Sequence, residues 1–230
     1  MTAALLLELE GVLVETLPLR AAALAEALAG DGIEVTTDEA MELSRGRAVR
    51  RAVAMAAHDA RVAFDLVAID LTASRAEQYF AARASAGGVT LAPGAVDFMI
   101  QAQANARCAV ATRASRPEAE LLLRLAGLED FFECIVTLED VVEEKPAPAT
   151  YRAVLARLER RRALPRRGVV ALEDGADGAR AARAAGVVSI VVGSVPASEA
   201  LEADGYLPTL EGATMETIRA IAARAGASAL

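Results

Sequence analysis

Lysine is nearly missing from this chain: of 24 Lys and Arg residues, 23 are Arg and one, Lys145, is Lys. Arg offers a planar fork and Lys a compact point charge, so the one retained ammonium marks a position where different chemistry is wanted. Histidine is as scarce. A single residue, His58, excludes two-His zinc motifs and di-histidine metal sites, and any Ser-His-Asp or Cys-His arrangement would have to use it. It lies in the Ala/Arg-rich stretch 51–59 and reads as an ordinary helix-face residue. The two cysteines, Cys108 and Cys134, sit inside apolar runs rather than in a C-x-x-C, which reads as buried free thiols in a reducing cytoplasm. With 3% aromatics and no Trp in a chain that is 54% hydrophobic, the core must be built from Ala, Leu and Val.

A basic face is missing too. The formal charge is 24 − 32 = −8, which argues against a nucleic-acid partner. The longest uncharged stretch, 184–198, has 15 residues and is broken by Gly186, Gly193 and Pro196, too short for a membrane span. Residues 1–10 lack a basic n-region and carry acids, so they do not read as an export signal. At 230 residues, the expectation is one large domain or a core with one insertion, cytoplasmic, as a monomer or weak dimer.

Five apolar, β-branched-rich runs read as strands: Ala3 to Leu9, Arg107 to Thr112, Glu133 to Thr137, Gly168 to Leu172 and Val187 to Val192. They are apolar throughout and separated by helical patterns at 94–105, 116–126, 147–161 and 175–185. Such runs predict an α/β fold, a doubly wound parallel sheet covered on both faces. Between the first and second runs the pattern is helical almost throughout, with helices expected at 18–29, 37–43, 47–57 and 63–84 and a return hinge at 85–90. The expected organisation is therefore an α/β core at 1–16 and 89–230, with an inserted α-helical cap domain at 17–88.

Ligands in open α/β sheets bind beyond the carboxyl ends of the strands, so the residues ending each run carry the information. The first run ends in Glu8-Leu9-Glu10-Gly11, and strand alternation would project Glu8 and Glu10 to one side. The second ends in Thr112-Arg113 and the fourth in Glu173-Asp174-Gly175; Lys145-Pro146 precedes the helix between the third and fourth strands. These are the parts of a Mg²⁺-dependent phosphoryl-transfer site. Glu8, Glu10, Glu173 and Asp174 supply oxygen ligands for the metal, while Thr112, Arg113 and Lys145 hold the phosphoryl group. A carboxylate at the first strand tip can serve as nucleophile and a second, two residues on, as general acid/base.

The motifs resemble those of the haloacid dehalogenase superfamily, in the branch of β-phosphoglucomutase-like phosphatases whose helical cap follows the first strand. Glu8-Leu-Glu-Gly-Val-Leu-Val-Glu-Thr16 is similar to the first motif, D-x-D-G-x-x-x-D-T/S; Thr112 matches the second, Lys145-Pro-x-Pro the third, and Glu173-Asp174-Gly-x-x-Gly178 the fourth. The resemblance covers essentially the whole chain. It implies Glu8 as nucleophile, Glu10 as acid/base, Thr112 and Lys145 on phosphate, and Mg²⁺ at the acids. It also implies Gly46-Arg47 as a substrate-specificity loop in the cap, with Arg20 standing where relatives place a cap-side His.

The departures from the pattern are specific. All three first-motif Asp positions are Glu: Glu8, Glu10 and Glu15. Arg113 replaces a common Asn, and Val49 replaces an Arg found in β-phosphoglucomutase itself, which argues against a sugar phosphomutase. A cap without lysine cannot form the Schiff base of the phosphonatase branch. The expected function is a Mg²⁺-dependent phosphatase of a small phosphorylated metabolite, and the alternative is a catalytically impaired pseudoenzyme that binds a phosphorylated ligand.

Overall fold

The computed structural model describes residues 2–228. The chain runs β1 (Ala4–Leu7), β2 (Val14–Glu15), α1 (Leu17–Ala29), α2 (Thr37–Ser44), α3 (Val49–Asp59), α4 (Leu66–Gly87), β3 (Thr90–Leu91), α5 (Ala95–Asn105) and β4 (Arg107–Ala111). It continues with α6 (Arg116–Ala126), β5 (Cys134–Val136), α7 (Ala149–Arg161), β6 (Val169–Glu173), α8 (Ala176–Ala184), β7 (Val188–Val192), α9 (Ala197–Ala200), β8 (Gly205–Leu207) and α10 (Met215–Ser228). Two compact units emerge: residues up to Glu15 together with those from Thr90 onward, and Thr16–Val89.

In the first unit six strands form a parallel sheet in the order β5-β4-β1-β6-β7-β8. The all-apolar sequence Ala4-Leu5-Leu6-Leu7 puts β1 at the centre, where all four residues are 0% exposed. Each Leu buried there contributes about 1.5–3 kcal/mol. From β1 the chain steps outward through β4 and β5, then returns to the other side of β1 as β6. That reversal leaves a crevice at the carboxyl ends of β1, β4 and β6. One face is covered by α7 and α8, whose Val154, Leu155, Leu158, Ala181 and Ala182 pack on Leu6, Ala109, Ala111 and Val136. The many alanines let these helices approach the sheet closely.

The second unit is a four-helix bundle around Leu24, Leu28, Ile33, Leu43, Val53 and Ala56. Its α2 starts at a capping box, in which the Glu39 amide donates to Thr36 Oγ1 (3.3 Å) and the Thr36 amide donates to Glu39 Oε2 (2.8 Å).

The sheet differs from the five-run expectation in three places. β8 adds a sixth strand; with three residues, none of them buried, it carries too little apolar pattern to stand out. β2 and β3 form a two-stranded antiparallel ladder, Val14 opposite Leu91 and Glu15 opposite Thr90, at the points where the chain leaves and re-enters the first unit. β1 ends at Leu7 rather than Leu9, because the Leu9 carbonyl turns to accept from the amides of Leu13 (2.9 Å) and Val14 (3.1 Å). Within the second unit, α4 runs through Gly87, so half of the expected 85–90 hinge is helix. On α6, Leu122 and Leu123 are buried while Leu125 is 37% exposed.

Past β5, Asp140 knots the edge of the sheet together. Its carboxylate accepts from Arg116 Nη2 (2.7 Å), the Thr137 amide (2.9 Å) and Arg157. Burial pushes this carboxyl up, but the Arg157 and Thr137 hydrogen bonds and the Arg116 charge overcome it and hold it at about 2, against an ordinary 3.8. A carboxyl depressed in the folded state stabilises fully above its unfolded value and loses that contribution as pH falls through its folded value. Asp140→Asn is thus expected to destabilise by about 1–3 kcal/mol at neutral pH. Urea unfolding of both proteins should show the difference shrinking between about pH 4 and pH 2.

Candidate functional site

The carboxyl ends of β1, β4 and β6 bring Glu8, Thr112 and Glu173 together, and the loop before α7 adds Lys145. Glu8 follows the last residue of β1 and still holds the ladder, its amide donating to Leu172 O (2.9 Å). Its side chain is buried: Oε1 accepts from the Leu9 amide (2.8 Å) and Oε2 from Lys145 Nζ (2.8 Å). The Thr112 hydroxyl also bonds to it, and accepts in turn from the Ala114 amide (3.1 Å).

Lys145 explains why one lysine was kept. Its side chain is fully buried, and its ammonium donates to three acceptors: Glu8 Oε2 (2.8 Å), Ala111 O (2.8 Å) and Glu173 Oε1 (2.6 Å). An ammonium has three protons pointing to separate corners, which matches this cage; a planar guanidinium would not fit it. The Lys145–Pro146 peptide bond is cis.

Burial works against every charge here, and the outcome depends on the neighbours. It raises Glu8, yet Lys145 and Arg113 outweigh it and hold this carboxyl below the usual range. Glu173 goes the other way: burial, with the Glu8 charge added, pushes it up against the opposing Lys145. Asp174 is pushed up to about 7 by burial and by Glu173 and Glu8, with Arg113 opposing. Lys145, which burial alone would lower, is raised by Glu173 and Glu8. Arg113 faces Asp174, Glu8 and Glu173, and lies 3.7 Å from Asp177.

Two glycines set the spacing. A Cβ on Gly11, which sits at φ 75°, would lie 2.7 Å from Asp174 Cβ, so the loop after Glu10 can lie against Asp174 only as glycine. A Cβ on Gly178 would lie 1.9 Å from Glu173 Oε2, so this position in α8 leaves room for that carboxylate.

The residues anticipated from sequence divide accordingly. Glu8, Thr112, Arg113, Lys145, Glu173 and Asp174 converge. Glu10 does not stand beside Glu8 on a strand; it lies half-buried in the turn after β1, because β1 ends earlier than the apolar run. Nor do Glu8, Glu10, Glu173 and Asp174 form one metal cage: among the described residues no group of three His, Cys, Asp or Glu side chains could hold a metal. Both Glu8 oxygens and Glu173 Oε1 instead accept from Lys145 and the Leu9 amide. Two buried oxygens have no hydrogen-bond partner, Asp174 Oδ1 and Glu173 Oε2. An orphaned carboxylate oxygen suits a hard cation, and Mg²⁺ takes one or two carboxylates while keeping waters and phosphate oxygens, so this donor set fits it.

In the cap unit, Arg20 and Arg47 line one pocket with Ser44, Glu77 and Phe80. The Arg20 guanidinium lies 4.1 Å from the Phe80 ring centroid, and Arg47 reaches the Glu42 carbonyl and carboxylate. Gly46 holds φ 60° in the turn before Arg47. Arg50, by contrast, is paired with Asp70. Both cysteines are free, though Cys134 is only half-buried, and no helix among the described residues is long and apolar enough to cross a membrane. One participant had no local signature: Tyr151, whose hydroxyl donates to Glu173 Oε1.

CbbY of Cereibacter sphaeroides is 33% identical over 200 residues, 83% of this chain and 84% of that one. The crystal structure of CbbY from Rhodobacter sphaeroides in complex with phosphate matches with TM-score 0.82 at 29% identity, over 95% of this chain and 100% of that one. A point mutant of CbbY from the same organism in complex with xylulose-(1,5)bisphosphate matches at 0.81 and 30% identity, over 94% and 99%. β-Phosphoglucomutase from Clostridium difficile shares the fold, at TM-score 0.82 and 18% identity over 97% and 98%. The haloacid dehalogenase-like hydrolase model matches residues 3–186, a span that holds every core residue of the site, and the chain belongs to that family.

Proposed function

We propose that the protein is a Mg²⁺-dependent phosphomonoesterase acting on a small phosphorylated metabolite, with Glu8 as nucleophile. The observation that carries this reading is the buried Glu8–Lys145 pair at the carboxyl end of β1, with Thr112 and Arg113 beside it. Lys145 and Arg113 keep Glu8 ionised, as a nucleophile requires. A carboxylate has about four lone-pair sites, so the bonds from Leu9 and Lys145 leave each oxygen a pair with which to attack.

The Glu8 oxygen forms a bond to phosphorus as the ester P–O bond breaks, and Glu10 gives the leaving oxygen its proton. Water, deprotonated by Glu10, then attacks the phosphorus of the glutamyl-phosphate and releases inorganic phosphate, restoring Glu8. Thr112, Arg113 and Lys145 bind the phosphoryl oxygens throughout. Mg²⁺, when bound, would neutralise charge on the phosphoryl group. Asp174 would hold it through its unpartnered oxygen, with Glu173 Oε2 as the second candidate. Arg20 and Arg47, which line a pocket within the second unit with Gly46 in the adjoining turn, are the candidate anion-binding residues there, and a bisphosphate bound by a relative supports a phosphorylated substrate.

A panel of phosphate esters assayed with Mg²⁺ tests the reading. Steady phosphate release that stops on chelation is expected. Phosphate binding without release would instead establish the pseudoenzyme reading.

A further inference from the structure

Glu173 and Asp174 are adjacent acids, yet their surroundings differ. Asp174 Oδ1 is buried without a partner, whereas Glu173 Oε1 accepts from both Lys145 Nζ and the Tyr151 hydroxyl. Tyr151 stands in the first turn of α7, 0% exposed, and the Lys145 ammonium lies 5.3 Å from its ring centroid. A hydroxyl so completely buried needs an acceptor, and Glu173 supplies one. On the far side, Gly178 packs against Glu173 Oε2 with no room for a Cβ. The carboxylate is thus held between a hydroxyl and a glycine, and its held oxygen is the one that meets the ammonium.

We propose that Tyr151 is a positioning residue of the phosphate site: by fixing Glu173 Oε1 it aims the Lys145 ammonium at the Glu8 end of the cage, where a phosphoryl group is received. The proposal rests on the phosphatase reading for its chemistry, but it concerns phosphate binding. Without the hydroxyl, Glu173 Oε1 has Lys145 as its single partner and draws the ammonium toward β6. Phosphate then competes for a cation held more tightly by an internal carboxylate. Tyr151 touches neither substrate nor reacting atoms and acts through Glu173.

The test is calorimetric titration of inorganic phosphate into wild type, Tyr151→Phe, Glu173→Gln and the double variant, with thermal unfolding of each and turnover of p-nitrophenyl phosphate alongside. Tyr151→Phe is expected to weaken phosphate binding about tenfold while unfolding within about 5 °C of wild type. In the Glu173→Gln background it should add nothing, since the negative charge that draws the ammonium toward β6 is gone; a merely structural tyrosine would act additively there. Unchanged phosphate affinity in folded Tyr151→Phe, or additivity in the double variant, overturns the proposal. Should Tyr151→Phe fail to fold, Gly178→Ala decides, because its methyl displaces the flexible end of Glu173: about tenfold weaker phosphate binding supports the proposal and unchanged binding overturns it. A wild type that binds phosphate but turns over no ester overturns the phosphatase reading alone, and the same titrations then judge Tyr151.

Discussion

Lys145→Met is expected to lower folding stability by about 3–5 kcal/mol at neutral pH and to reduce ester hydrolysis by about 10³-fold. The ammonium is the hydrogen-bonded cation between Glu8 and Glu173, and all three side chains are essentially inaccessible to water. Removing it takes the counter-charge from two buried carboxylates and a donor from the Ala111 carbonyl, leaving Glu8 the bonds from Leu9 and Thr112 and Glu173 the Tyr151 hydroxyl. Breaking a buried pair from one side costs more than the pair contributes, because the remaining charge stays desolvated. Lys145→Arg is expected to rescue neither property, since the guanidinium is broader than the three-acceptor cage admits. Urea unfolding and phosphate release, measured on both variants, check this; a stable and active Lys145→Arg protein would show that charge alone matters at this position.

Glu8→Asp is expected to slow hydrolysis by about a hundredfold, although the family motif carries Asp at this position. In this chain the cage is spaced for the longer side chain: Glu8 Oε2 meets Lys145 at 2.8 Å and Oε1 meets the Leu9 amide at 2.8 Å. Shortening by one methylene retracts the carboxylate by about 1 Å, enough to open both contacts and to cost about 10² in rate. Glu8→Gln keeps the length but removes the charge and the nucleophile, and its turnover should vanish. Comparing kcat/KM across the three proteins decides the point. A faster Glu8→Asp would mean that the site still fits aspartate and that Glu8 impairs it.

The central sheet could be read from sequence wherever burial on both faces left an unbroken apolar run, as at Ala4-Leu5-Leu6-Leu7 and Val169-Val170-Ala171-Leu172. It could not be read at β2, β3 and β8, which are two or three residues long, largely exposed or half-buried, and held by pairing that no local pattern records. Leu9 misled because an apolar residue at 0% exposure belongs equally to a strand or to a buried turn, and with it went the alternation argument for Glu10. Lys145 was conspicuous for a compositional reason, being the single lysine. Tyr151 was not, because a tyrosine within a helical apolar pattern reads as core, and the partner of its hydroxyl is 22 residues away. Of the four carboxylates expected together, Glu8, Glu173 and Asp174 converge and Glu10 does not, and the division of work among the three was hidden. Which acid serves the lysine and which keeps an unpartnered oxygen depends on the packing of α7 and α8 against β6.

The central claim is that Glu8 becomes covalently phosphorylated, and rapid acid quench of the protein during turnover, followed by borohydride reduction and peptide mass spectrometry, tests it most directly. The expected result is reductive labelling at Glu8 that requires both substrate and Mg²⁺ and is absent from Glu8→Gln. Continued phosphate release with no label at Glu8, or release by Glu8→Gln at the wild-type rate, would contradict it.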